Sequence, residues 1–255
     1  MKLRRLIQIE DRRQAAYERR FAGKIFKALK QQAEDFIETG DIKPRMNFVF
    51  DELYDTVMRD YLSRQWEQLD RNIEKRRRFF IDSWERWLVQ FKMEQLTMKV
   101  VGIDETTRDM LRKEVLRGAE AGEEMIEIGK RIREVMGGKA GKARARMIAR
   151  TEVGQAVNYA KTKSSDDWQA ETGMQLGKLW IHRGAKDPRD WHMALDNGRP
   201  IPKDKPFVVS VPETGITDLM MYPHDPSASA ENVINCGCQV IYVRLKTQQD
   251  GRNNF

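Results

Sequence analysis

Through the first 173 residues, apolar side chains return every three or four positions. Met46, Phe50, Leu53, Val57 and Tyr61 form one such series, widened by Val49, Tyr54 and Met58. This is the spacing of one face of an α-helix. Phe80, Trp84, Trp87 and Phe91 repeat it, and so do Ala145, Ile148, Ala149, Val153, Ala156, Val157 and Ala160. Pro44 is the only proline in this stretch. The periodicity predicts a mostly helical region. Asp104, ahead of Thr106 and Thr107, reads as a helix N-cap, and Gly137, Gly138 and Gly141 read as a loop.

After Gly173 the texture changes. Seven of the eight prolines fall between 188 and 226, and the apolar runs become short: Leu179–Ile181, Phe207–Val209 and Gln239–Leu245. The last run alternates, with Val240, Tyr242 and Arg244 on one face and Ile241, Val243 and Leu245 on the other, both rich in β-formers. The predicted fold class is α+β: a long helical N-terminal region, then a small α+β domain with a short antiparallel sheet and Pro-rich loops. The expected domains are a basic helical arm over 1–103, an α+β domain over 104–246 that stays helical to about 173, and a tail over 247–255 that frays or is held by a partner.

Charge sharpens this division. The chain carries +7, but residues 1–150 hold 34 Lys and Arg against 26 Asp and Glu, whereas the rest hold 12 against 13. A basic arm suits nucleic acid or an acidic protein surface, although a solvated helix with interspersed charges has the same composition. No apolar run approaches the ~20 residues of a membrane span, and the start, MKLRRLIQIEDRRQ, lacks the apolar core of a secretory signal. Two cysteines in 255 residues build no disulfide framework and point to a reducing cytoplasm.

All the chemistry-bearing imidazoles and thiols lie in the last third: His182, His192, His224, Cys236 and Cys238. Imidazole and thiolate are the usual zinc ligands. The best quartet by spacing is His192, His224, Cys236 and Cys238, with His182 or Asp187 in reserve. Cys-Gly-Cys is tighter than a common zinc knuckle, and a disulfide across two residues would be strained. Two small buried residues at a strand start fit the pattern equally. A catalytic alternative pairs His192 with Asp187, Asp190 or Asp196 as general base and orienting carboxylate. With His224 and Asp225 beside a divalent ion, that would make a metal-dependent nuclease. The acidic residues there also suit ordinary turns. Lys75, Arg76, Arg77 and Arg78, and Lys139, Lys142, Arg144 and Arg146 in GGKAGKARAR, are candidate contacts for phosphate or for a protein partner. The aromatics after Arg78 have helix-packing spacing.

Taken in order, ARMIARTEVGQAVNYAK (145–161), KLWIHRGAKDPRDWHMALDNGRPIP (178–202), PHDP (223–226) and NCGCQVIYV (235–243) resemble the phage Mu F-like minor head protein family. That family shows an Ala-Arg-Thr-Glu helix, a Trp followed by Asp-x-Arg and His, a small turn, a Pro-rich loop and a Cys-x-Cys pair before a final strand. The matching residues are Ala149, Arg150, Thr151, Glu152, Trp180, Asp187, Arg189, His192, Asp196, Gly198, Asn235, Cys236 and Cys238. Gly237 departs from the family's usual arginine, Asn197 adds a residue to the turn, and Asp190 replaces a frequent arginine. The resemblance implies a structural, non-enzymatic minor head protein of a tailed double-stranded DNA phage, at work in head morphogenesis, DNA packaging or DNA delivery. Its implied partners are the portal protein, the major capsid or scaffolding protein, and packaged DNA bound without sequence specificity; no membrane is expected. Its implied place is the virion head near the portal, and the host cytoplasm during assembly.

Overall fold

The computed structural model describes residues 3–69, 77–183 and 188–245. Six helices come first: α1 (Leu3–Thr39), α2 (Met46–Leu69), α3 (Arg77–Phe91), α4 (Thr97–Glu120), α5 (Met125–Gly137) and α6 (Lys139–Thr172). Then follow β1 (Leu176–Ile181), α7 (Asp190–Met193), β2 (Ile201–Pro202), β3 (Phe207–Ser210), β4 (Thr217–Met220), α8 (Ala230–Val233) and β5 (Gln239–Arg244). The fold is α+β, as the apolar spacing predicts. The tail over 247–255 lies outside the described residues.

Two local readings of the sequence are corrected. Asp104 is not an N-cap but a buried residue well inside α4, which a π-helical turn (Lys92–Leu96) joins to α3 without a break. The Asp104 carboxylate accepts a 2.7 Å hydrogen bond from Gln32 Nε2, a partner 72 residues away. A side chain that reads as a cap locally is claimed by tertiary structure instead. The glycine loop shrinks to Gly138 between α5 and α6. Gly141 lies in the first turn of α6, where a Cβ would stand 2.0 Å from the Met136 carbonyl oxygen.

The chain forms two compact units, and each draws segments from both sides of residue 103. One comprises 12–56 and 88–153. Its core contains Phe21, Ile25, Leu29, Met46, Phe50, Leu53, Tyr54, Phe91, Leu111 and Met136, all fully enclosed. The Met46–Tyr54 stripe is therefore a packing face. Tyr54 meets Phe91 edge-on, with ring centroids 4.9 Å apart, and its hydroxyl donates to Glu152 Oε2 at 2.7 Å. Lys99 Nζ stands 3.5 Å from the other Glu152 oxygen, so this buried carboxylate has both a hydrogen bond and a counter-ion.

The other unit comprises 1–11, 57–87 and 154–255 and holds both sheets. β1 is the middle strand of the order β2-β1-β5, antiparallel to both neighbours, with Trp180 opposite Val240. β3 and β4 form a separate antiparallel hairpin. Both faces of β1 are covered. Leu179 and Ile181 join Ile241, Leu6 and Ile7, while Trp180 joins Phe207, Val209, Met220 and the two cysteines. This is why the run Leu179–Ile181 does not alternate.

α6 meets β5 through polar groups as well as apolar ones. Asn158 Nδ2 donates to Cys238 O at 3.3 Å, and Asn158 Oδ1 accepts from Val240 N at 2.8 Å. Tyr242 and Thr162 join through their hydroxyls at 2.9 Å. Lys161, fully enclosed, donates to Gln239 Oε1 at 2.9 Å and pairs with Glu10 Oε2 at the same distance. Burial alone would raise the Glu10 carboxyl, but Lys161 and Arg64 outweigh it and hold the group below the usual carboxylate range. On Lys161 burial prevails over Glu10 and lowers the ammonium.

Replacing Asn158 by Leu would strand one buried N–H and one buried C=O, at about 1–3 kcal/mol each. Asn158→Leu is expected to destabilise by roughly 2–6 kcal/mol in urea unfolding, whereas Thr162→Val costs about 1 kcal/mol. Equal costs for the two would contradict this account.

Candidate metal centre

Three of the four residues singled out as ligands converge in the sheet-bearing unit. The ligand atoms of His192, Cys236 and Cys238 all lie within 4.8 Å of one another, and all three residues are buried. His192 is placed by α7, whose start is set by Arg189; the Arg189 guanidinium donates to Ile234 O at 2.8 Å and ties α7 to the loop ahead of the cysteines. Trp180 and Trp191 meet the imidazole edge-on, at 5.2 and 6.0 Å between centroids. Asn235, in the left-handed region at φ 57°, turns the chain so that Cys236 and Cys238 face inward. Both thiols are free.

Hydrogen bonding fixes the imidazole's tautomer. Asn232 Nδ2 donates to Asp218 Oδ2 at 2.8 Å, and Asn232 Oδ1 accepts from the Trp191 indole at 2.8 Å. The indole only donates and a carboxylate only accepts, so the amide has one possible orientation. His192 Nε2, 3.1 Å from the same Oδ1, must then carry the proton. Nδ1 is left with a lone pair, aimed at Cys236 Sγ at 3.5 Å and Cys238 Sγ at 3.7 Å. The Cys238 backbone N–H also donates to Cys236 Sγ at 3.3 Å.

The two thiols share their titration. Cys236 is held well below the usual thiol range by the hydrogen bond from the Cys238 thiol, against burial, with help from His224 and His192. Cys238 is pushed up by that same hydrogen bond and by burial.

His224 occupies a different kind of position. It is fully enclosed, adopts φ 64°, and has no hydrogen-bond partner on either ring nitrogen. Its ring lies outside the 4.8 Å group, yet close enough for Cys236 to respond to it. Gly154 on α6 makes the room: a Cβ there would stand 2.4 Å from His224 Nε2. The loop that carries His224 is braced from two sides. Asp225 accepts from the backbone of Met221 and Ser227 at 2.8 and 3.1 Å. Lys178 donates to Met221 O at 2.7 Å, with its ammonium 4.9 Å from the Phe207 ring centroid.

The remaining candidates divide. His182 is half-buried, and its backbone N–H bonds Asp196 rather than the cluster. Asp187 lies outside the described residues, as do Lys75 and Arg76 and the side chains of Arg77 and Arg78. Lys139, Lys142 and Arg146 are exposed. Arg144 turns inward, donating to Ile103 O and Thr107 Oγ1 at 3.3 and 3.2 Å. Asn232, Asp218 and Gly154 were missed from the sequence. Asn232 and Asp218 look like loop residues there, and a helical glycine carries no sign of the ring it accommodates.

Residues 109–241, more than half of the chain, match the family described as Phage Mu protein F like protein. The chain belongs to that family. The motif residues of this Mu F-like chain split between its two compact units: Glu152 anchors the Tyr54 hydroxyl, while His192, Cys236 and Cys238 form the cluster and Trp180 and Arg189 support it. The departure at Gly237 is not forced by the backbone, since a Cβ there would sit in ordinary contact, 3.6 Å from Arg183 O. The uncharacterized protein YqbB of Bacillus subtilis (strain 168) is 35% identical over 97 residues, which is 37% of this chain and 29% of that protein. The match thus spans under a third of that relative's length. No solved structure matches the chain.

Two outcomes test the His224 environment. Gly154→Ala is expected to cost about 1–3 kcal/mol by overpacking, and most of that cost should vanish in a His224→Gly background. Persistence of the full cost there would place the clash elsewhere. Burial, reinforced by Lys203, pushes Lys178 down from 10.5 to about 8. Between these pH values the folded chain binds fewer protons than the unfolded one, so this group makes stability rise with pH across the window and contributes no change below it. Melting curves at both ends of the window should show that rise for wild type relative to Lys178→Met.

Proposed function

We propose that this chain is a structural minor head protein of a tailed double-stranded DNA phage, associating with the portal and acting in head morphogenesis, DNA packaging or DNA delivery. The observation that carries this reading is the family match over residues 109–241. The structure is consistent with protein-to-protein work. Phe48, Met93, Met98, Met125 and Ile126 stand well exposed on helices, and exposed large apolar groups suit partner contact. No helix among the described residues is long and apolar enough to cross a membrane. Lys139, Lys142 and Arg146 present an exposed basic face at the start of α6. That face fits salt-sensitive, sequence-indifferent phosphate contact. Arg144 drops out of it, because its guanidinium is committed to α4.

The nuclease reading fares worse on geometry. His192 is 1% exposed and its Nε2–H is committed to Asn232, so the ring has no route to a scissile phosphate. Asp225 spends both carboxylate oxygens on its own loop.

Heads purified from cells that express the phage's head genes should contain this chain at low copy by quantitative mass spectrometry. A tagged chain should retain the portal protein from the same lysate. Heads that never contain it would overturn the reading. Double-stranded DNA incubated with the chain in magnesium or manganese should stay intact; cleavage abolished by His192→Ala would reinstate the nuclease.

A further inference from the structure

We infer that His192, His224, Cys236 and Cys238 form a closed structural zinc site. The inference stands on the geometry of the unit and is independent of the head-assembly reading. Zn–S and Zn–N bonds of about 2.3 and 2.0 Å give a tetrahedral N···S edge of about 3.5 Å. The two edges from His192 Nδ1 are 3.5 and 3.7 Å. Both N···S edges therefore already match those of a zinc tetrahedron, and all three ligand atoms lie within 4.8 Å of one another.

The surrounding hydrogen bonds suit a metal. The Asp218–Asn232–His192 relay places the proton on Nε2 and the lone pair on Nδ1, the form in which imidazole ligates. The Cys238 N–H directed at Cys236 Sγ stabilises a thiolate. His224 supplies the second, independent observation: an enclosed imidazole without a partner on either nitrogen, held in the left-handed region, with Gly154 cleared for its ring. An unsatisfied buried imidazole carries a desolvation cost. Turning one nitrogen onto the metal would remove that cost and complete the fourth corner.

Two thiolates and two imidazoles in tetrahedral array select zinc over the oxygen-loving cations. With exposures of 1%, 0%, 2% and 2%, the site leaves no position for a reacting water, so its role is structural. The metal would join α7, the loop before α8 and the segment between α8 and β5, three segments separated in sequence around a two-stranded hairpin and a three-stranded sheet. Small sheets with long loops gain most from such a staple.

The test uses the full chain, purified under reducing conditions and supplied with zinc or cobalt(II) alone. About one zinc per chain by mass spectrometry is expected, with a higher melting temperature than after chelation. Cobalt should give the intense visible bands of a tetrahedral site and a thiolate-to-cobalt charge-transfer band. Cys236→Ser/Cys238→Ser should lose both metals. His224→Gly should keep the charge-transfer band but weaken binding by at least about tenfold in chelator competition. A folded wild-type chain that takes up neither ion would overturn the proposal, and so would unchanged affinity in His224→Gly for the fourth ligand. Cobalt spectra of the wild type decide the matter even if the cysteine variants do not fold.

Discussion

The Lys161 ammonium is fully enclosed, and the sheet-bearing unit is organised around its needs. Its partners come from three directions: Glu10 from α1, Gln239 from β5, and the Tyr61 ring of α2 at 5.3 Å. Glu10 is itself held by Arg64 and Gln68 of α2. A buried pair of this kind adds little stability beyond an apolar replacement, but breaking it by removing one partner costs about 3–5 kcal/mol. Its consequence is registration. α1, α2, α6 and β5 can pack together in this unit only in the arrangement that brings these groups within reach.

α6 also explains the composition of its own middle. Every residue from Thr151 to Ala160 is buried. A helix enclosed on all sides needs small residues for close approach and a partner for each polar group. Ala156, Val157 and Ala160 meet the first need, and Gly154 meets it most sharply. Glu152, Asn158 and Lys161 meet the second through Tyr54, Cys238 with Val240, and Glu10 with Gln239. Polar residues in this stretch are internal connectors, not a solvated face.

How much of this was legible in the sequence depended on range. Period and alternation exposed the α2 stripe, the short strands and the change of texture after Gly173, because those signals are local. The Cys-Gly-Cys pair and the clustering of histidines pointed to one place, and three of the four residues meet there. What stayed hidden was set by distant partners. Asp104 looks like a cap until Gln32 claims it. Lys161 looks like a surface lysine until Glu10 arrives from 151 residues earlier. Asn232 has no local mark of the tautomer it dictates, and Gly154 none of the imidazole it admits.

The bonds of Asn158 have one more consequence. β5 is the last strand of its sheet, and the outward backbone groups at Cys238 and Val240 are the kind that invite another strand to add on. The Asn158 amide occupies both, accepting where a neighbouring strand would accept and donating where it would donate. One side chain thus impersonates a strand and ends the sheet. That blunted edge protects against cross-chain sheet growth and aggregation.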